Sequence, residues 1–219
     1  MDVVASDAPV GPDVEVPGLD ELDEALRAFD KELPWPLVRS RLLPLLERVR
    51  PYPAGTPDPL RSLVPPGVMV SLGIDVGPAF IHVTRQILDR WDRSLADLVA
   101  QAIANVHARA AEIDPREVVA AQIAGVPVAA LQTGLGVGST LVLAPGELAR
   151  IFGPEPRMFV APMRDLIAGF PTDAEEIAMA FWEEIADQDP NHLHARAFHF
   201  DGSAVSVRPL EASRMVAGA

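Results

Sequence analysis

Apolar and polar side chains alternate from Val68 to Asp75, with Val68, Val70, Leu72 and Ile74 on one face of an extended segment and Met69, Ser71, Gly73 and Asp75 on the other. Gly77 and Pro78 interrupt the run, and Phe80, Ile81, His82 and Val83 form a second β-rich segment, so the punctuation predicts a hairpin. The period then changes. Leu95, Leu98, Val99, Ala102, Ile103, Val106, Ala110 and Ile113 recur every three or four residues and draw one apolar stripe along a long helix. Ser94 and Asp97 have the capping-box spacing at its start, where a hydroxyl and a carboxylate satisfy free amide groups.

Further along, residues 118–123 and 126–131 predict two strands, 134–140 a glycine-rich loop, and 147–152 one or two helical turns. Residues 158–160 and 166–170 predict two more strands around Pro162. Thr172 and Glu175 repeat the capping-box spacing ahead of a second long helix, whose apolar face holds Ala174, Ile177, Ala178, Phe181 and Ile185 and which ends near Asp189 and Pro190. The segments 193–200 and 203–207 predict a closing hairpin, with Asp201 and Gly202 as a type I′ turn.

The N-terminal quarter differs in texture. Residues 1–18 are rich in Pro, Gly and Asp without periodicity and predict a mobile tail. Leu19, Leu22, Leu26, Phe29 and Leu33 mark an acidic amphipathic helix. Leu37, Val38, Leu42, Leu45, Leu46 and Val49 suggest a second helix over 36–49, kinked or broken at Pro44. Residues 51–66 hold six prolines and read as an extended linker. The expected fold class is therefore α+β: a mostly antiparallel sheet packed by two long helices over 67–210, with an N-terminal helical appendage over 19–50 and a short tail at 211–219.

Composition narrows the function. With 31 acidic against 18 basic side chains the formal charge is −13, which opposes binding to nucleic acid or to anionic lipid surfaces. Cysteine is absent, which excludes disulfides, thiol catalysis and thiolate metal sites. The N-terminus lacks the basic and apolar regions of a signal peptide, and no apolar run approaches the roughly 20 residues that span a bilayer, so cytoplasmic residence is expected.

The order of the segments resembles the YtpQ-like family of uncharacterised bacterial proteins over residues 67–208. The stretches LGIDVGPAFIHVT, ADLVAQAIANVHAR, VAPMRDLIAGF and HARAFHFDGSAVSV carry the likeness. The family pattern keeps a Pro and an Asp matched here by Pro162 and Asp165, and an Asn matched by Asn105. The resemblance implies a bacterial α+β protein and brings no activity with it.

Four groups of residues invite chemistry. Asp189, His192, His194 and His199 are a dense set of metal-ligand types, with His192 and His194 on one face of a strand and His199 on the other; strand-edge histidines without metal are the simpler account. Asn105 and Arg109 sit one helical turn apart beside the apolar stripe, with Arg164 and Asp165 as partners from the sheet. Such a cluster either binds a small polar ligand or orients a water for hydrolysis, or it is a network joining helix to sheet. Gly134, Gly136, Gly138, Ser139 and Thr140 imitate a phosphate loop, but no lysine precedes the hydroxyls, and Ser139 has no nucleophile elbow around it. Finally Leu22, Leu26, Phe29, Trp35 and Trp182 are apolar anchors for a partner, although Trp182 also fits a core position. No cofactor is implied. The expected role is protein–protein interaction as a scaffold, adaptor or regulatory subunit, with a protein partner or a homo-oligomer; the alternative is a hydrolase or a small-ligand binder using Asn105, Arg109, Ser139 and Asp165.

Overall fold

The computed structural model describes residues 33–46, 57–77, 79–188, 193 and 196–209. The fold is α+β and all strand pairs are antiparallel. The first sheet is centred on β3 (Val68–Asp75), with β1 (Leu42–Leu45) along one side and β2 (Arg61–Val64) and β4 (Phe80–His82) end to end along the other. The second sheet has the order β10-β9-β7-β8-β6-β5, built from β5 (Val119–Ile123), β6 (Val126–Gln132), β7 (Arg157–Met163), β8 (Leu166–Phe170), β9 (Arg196–Phe200) and β10 (Val205–Pro209).

The helices are α1 (Trp35–Val38), α2 (Arg85–Trp91), α3 (Leu95–Ala110), α4 (Pro145–Phe152) and α5 (Glu175–Gln188). The predicted capping box closes α3: the Ser94 hydroxyl accepts from the Asp97 amide at 3.1 Å, and the Asp97 carboxylate accepts from the Ser94 amide at 3.2 Å. The Ser94 hydroxyl, which donates to the Asp97 carboxylate at 2.8 Å, and then the Ser94 amide hold the Asp97 carboxyl below its ordinary pKa. The α3 stripe then joins two cores. Leu98 and Ala102 pack with Leu42, Leu72, Ile74, Leu88 and Trp91, while Val106 and Ala110 pack with Leu43, Val70, Leu141, Phe159 and Phe200 between the sheets. A third apolar cluster, with Met158, Val160, Ala168, Phe170 and Ala178, lies under α5.

Three expectations change. The helix read over 36–49 is one short helical turn, a 3-10 turn at Arg39–Arg41 and then strand β1, all four of whose residues are buried. A short continuous apolar run fits a buried strand as well as a helix, and periodicity cannot separate them. Pro44 fits the strand because Leu72, opposite it, turns its own groups the other way: its amide donates to the Leu60 carbonyl at 3.3 Å and its carbonyl accepts from Val83 at 2.9 Å. The missing amide of Pro44 therefore removes no ladder bond. Secondly, residues 61–64 of the expected linker form β2. Thirdly, the last hairpin closes through a four-residue loop, since Val205 pairs with Phe200. The Asp201 carboxylate accepts from the amides of Ser203 and Ala204, each at 2.8 Å, which overrides a two-residue turn and lowers the Asp201 pKa. The amphipathic helix expected over 19–33 lies outside the described residues, apart from Leu33, which is buried.

Candidate functional site

The glycine-rich segment after β6 is where the expected polar residues gather, and it is gripped from two sides. On one side Arg109, four residues beyond Asn105 on α3, donates to the Asp75 carboxylate at 2.6 Å and to the Leu135 carbonyl at 2.8 Å. On the other side Asp165, in the turn between β7 and β8, accepts from the Thr133 hydroxyl, from the Gly134 amide at 2.6 Å and from the Gly138 amide at 3.3 Å. Its neighbour Arg164 lies over the Phe80 ring, 4.3 Å from the ring centre, and accepts the Ser139 amide on its carbonyl at 2.8 Å.

Convergent amides in a glycine loop make an anion site. Here the anion they hold is the chain's own Asp165 carboxylate. The likeness to a phosphate loop thus has a physical basis, with the occupant supplied internally. Gly138 is required by close approach: a Cβ there would lie 2.6 Å from the Asp165 backbone carbonyl carbon. Gly138–Leu143 form a buried 3-10 turn, which takes in the last three residues of the loop predicted over 134–140. Within it the Ser139 side chain is fully enclosed and its hydroxyl has no hydrogen-bond partner among the described residues.

Asn105 is spent elsewhere. Its amide group donates to the carbonyls of Arg39 at 2.7 Å and Leu42 at 2.8 Å, and its oxygen accepts from Gln101 at 2.8 Å. It fastens α3 to the start of β1 and does not meet Asp165. Arg109, Arg164 and Asp165 do share one loop, so the structure brings together part of the expected cluster, as a clamp between the two sheets.

Of the remaining residues, Trp35 packs at a tilt against Trp91, ring centres 5.2 Å apart, the Trp91 indole N–H donates to the Leu33 carbonyl at 2.6 Å, and Arg93 lies 5.9 Å over the Trp35 ring. Trp182 is half-buried on α5, beside Phe181, which contacts Phe170 at 5.6 Å. His199 sits on β9, where burial and then Arg208 hold its pKa below the ordinary value against an opposing effect of Glu175. His192, His194, Leu22, Leu26 and Phe29 lie outside the described residues. A cleft between the sheets, lined by Leu46, Met69, Leu193, Arg196 and Phe198 among others, has only about 20 Å³ of free space, room for roughly one water.

The second feature of interest is strand β5, which the sequence predicts as a strand but not as the end of a sheet. Among the described residues it is the last strand of its sheet and pairs only with β6. Val119, Ala120, Ala121 and Gln122 are all exposed, with Val119 at 63%. Two other terminal strands among the described residues are blunted as expected for sheet edges. β2 contains Arg61 and is bracketed by Pro59, Pro65 and Pro66, and β10 carries Arg208 and Pro209. β5 has neither charge nor proline. No local signal marks it, because an uncharged run of valine and alanine reads equally well as an inner strand.

The direction of its free groups follows from the hairpin. Ile123 pairs with Val126 across Ala124 and Gly125, which have φ of 50° and 82° as a type I′ turn demands. The closing pair of a two-residue hairpin is hydrogen-bonded, so by alternation Gln122 and Ala120 direct their amide and carbonyl groups away from β6. Pro127 opposite Gln122 agrees with this, since a proline fits where no ladder bond is made.

No family model, curated protein or solved structure matches this chain. Among the described residues no helix is long and apolar enough to cross a membrane.

Proposed function

We propose that the chain acts through protein–protein contact, as a scaffold, adaptor or regulatory subunit, with strand β5 as its docking element. One observation carries the reading: an uncharged, proline-free strand at the end of a six-stranded sheet exposes both of its faces and one row of backbone groups. An extended segment of another chain adds to such a strand by main-chain hydrogen bonds, and flanking apolar side chains set the register. The hydrolase or ligand-binding alternative is set aside because Asn105, Arg109 and Asp165 use their polar groups on internal partners and Ser139 is enclosed.

The test uses a labelled eight-residue peptide copying residues 117–124, titrated against the full chain by fluorescence anisotropy. Saturable binding that is lost in Ala120→Pro is expected, since that substitution deletes one outward amide and no bond to β6. A peptide that fails to bind, or binds both proteins alike, refutes the docking role of β5.

A further inference from the structure

The geometry points to a second copy of this chain as the occupant of β5: two β5 strands pair antiparallel about a two-fold axis at Ala121, joining two six-stranded sheets into one. This inference rests on the docking role proposed for β5 and goes further by fixing the partner and the register.

The strand is complementary to itself. Centring the axis on Ala121 sets Ala120 opposite Gln122 of the other copy and Val119 opposite Ile123. The residues whose amide and carbonyl groups point outward, Ala120 and Gln122, then form the hydrogen-bonded pairs, giving about four new main-chain bonds. Ala121 faces its own copy at the non-hydrogen-bonded position, where backbones come closest and a small side chain fits. Val119, Ala121 and Ile123 lie on one face, so the exposed Val119 gains an apolar neighbour in Ile123 of the second copy.

Charge leaves this approach open: a chain of formal charge −13 repels its copies elsewhere, but β5 itself is a neutral strip. Continuing the register, Glu117 falls opposite Gly125, so no like charges meet, and the Arg116 guanidinium is already paired with Asp114 at 2.5 Å. Acidic α5 lies on the same sheet and packs against β7, three strands from the join. With strands about 4.8 Å apart, the two α5 helices stand roughly 34 Å from each other, several screening lengths at physiological salt. They neither clash nor repel appreciably.

Two five-residue strands bury less than the ~800 Å² per partner of a standard interface, so the dimer is weak and dissociates on dilution. Sedimentation velocity of the full chain from low to high micromolar concentration should show a monomer–dimer equilibrium in that range, weakened at least tenfold by Ala120→Pro and by Ala121→Lys. Far-UV circular dichroism of both variants should match the parent, which separates loss of pairing from loss of fold. Because the chain has no cysteine, Ala121→Cys supplies a register test: mild oxidation should give a covalent dimer, whereas Gly146→Cys, on α4, should not. A chain that stays monomeric at the highest concentration, or a dimer indifferent to these substitutions, overturns the second-copy assignment. If the 117–124 peptide still binds such a monomer, the docking strand stands and its partner is a different chain; if it does not, the interaction reading fails with it.

Discussion

Asn105→Asp tests the account of how α3 is fastened to the first sheet. The change alters one group and almost no volume, but it replaces two N–H donors with a carboxylate oxygen facing the Arg39 and Leu42 carbonyls at about 2.7 and 2.8 Å. Each carbonyl that loses its donor costs about 1–3 kcal/mol, and the introduced charge, 8% exposed at the wild-type residue, adds to that. A total of about 3–5 kcal/mol at pH 7 is expected, against a typical domain stability of about 5–15 kcal/mol. At roughly 2–4 °C per kcal/mol the melting temperature should drop by about 6–20 °C. The sign of the pH effect follows from burial. A carboxyl facing two carbonyl oxygens is held protonated, so its folded pKa rises above the unfolded value of about 3.9. Its stabilising contribution is complete below that unfolded value and is lost as pH rises through the folded one. The deficit relative to wild type should therefore shrink as pH falls from 7 toward 4. Urea denaturation at pH 7 and pH 4.5, followed by tryptophan fluorescence, measures both quantities. A variant within about 1 kcal/mol of wild type at pH 7, or a deficit that does not change with pH, would refute the role of Asn105 in fastening α3 to β1.

Asp165→Ala empties the amide cradle at Gly134 and Gly138 and should cost about 2–4 kcal/mol, with an m-value near wild type in the same urea experiment. Ser139→Ala removes an enclosed hydroxyl without a partner among the described residues and should leave thermal stability unchanged or higher; a fall of several degrees would reveal a bond the geometry does not contain. Ala124→Asn places a residue tolerant of positive φ where the β5–β6 turn holds 50°, and should stabilise by about 0.5–1 kcal/mol in calorimetry. His199 has a folded pKa below its ordinary 6.5, so its contribution is present above that pH and is lost as pH falls below it; His199→Gln should flatten stability between pH 7 and 5, and equal slopes in the two proteins would contradict the burial assigned to it.

Strong local periods determined much of this protein from sequence alone. The β3–β4 hairpin, α3 with its Ser94–Asp97 box, the β5–β6 pair and the β7–β8 pair all rest on contacts between residues close in the chain, which alternation, a 3.6-residue period and capping chemistry encode directly. The run at 42–46 does not carry its own assignment, because a buried strand and a buried helix look alike until β3 supplies hydrogen bonds on one side and α3 covers the other. The candidate cluster was legible as residue types and not as partners. Arg109 reaches Asp75, 34 positions away, and Asp165 closes on a loop about 30 positions earlier, and those separations are set by how the two sheets pack. Strand order was likewise beyond the sequence: nothing local distinguishes a terminal strand from an inner one, so the open row of groups on β5 exists only because tertiary structure placed β6 beside it and, among the described residues, no other strand on its far side.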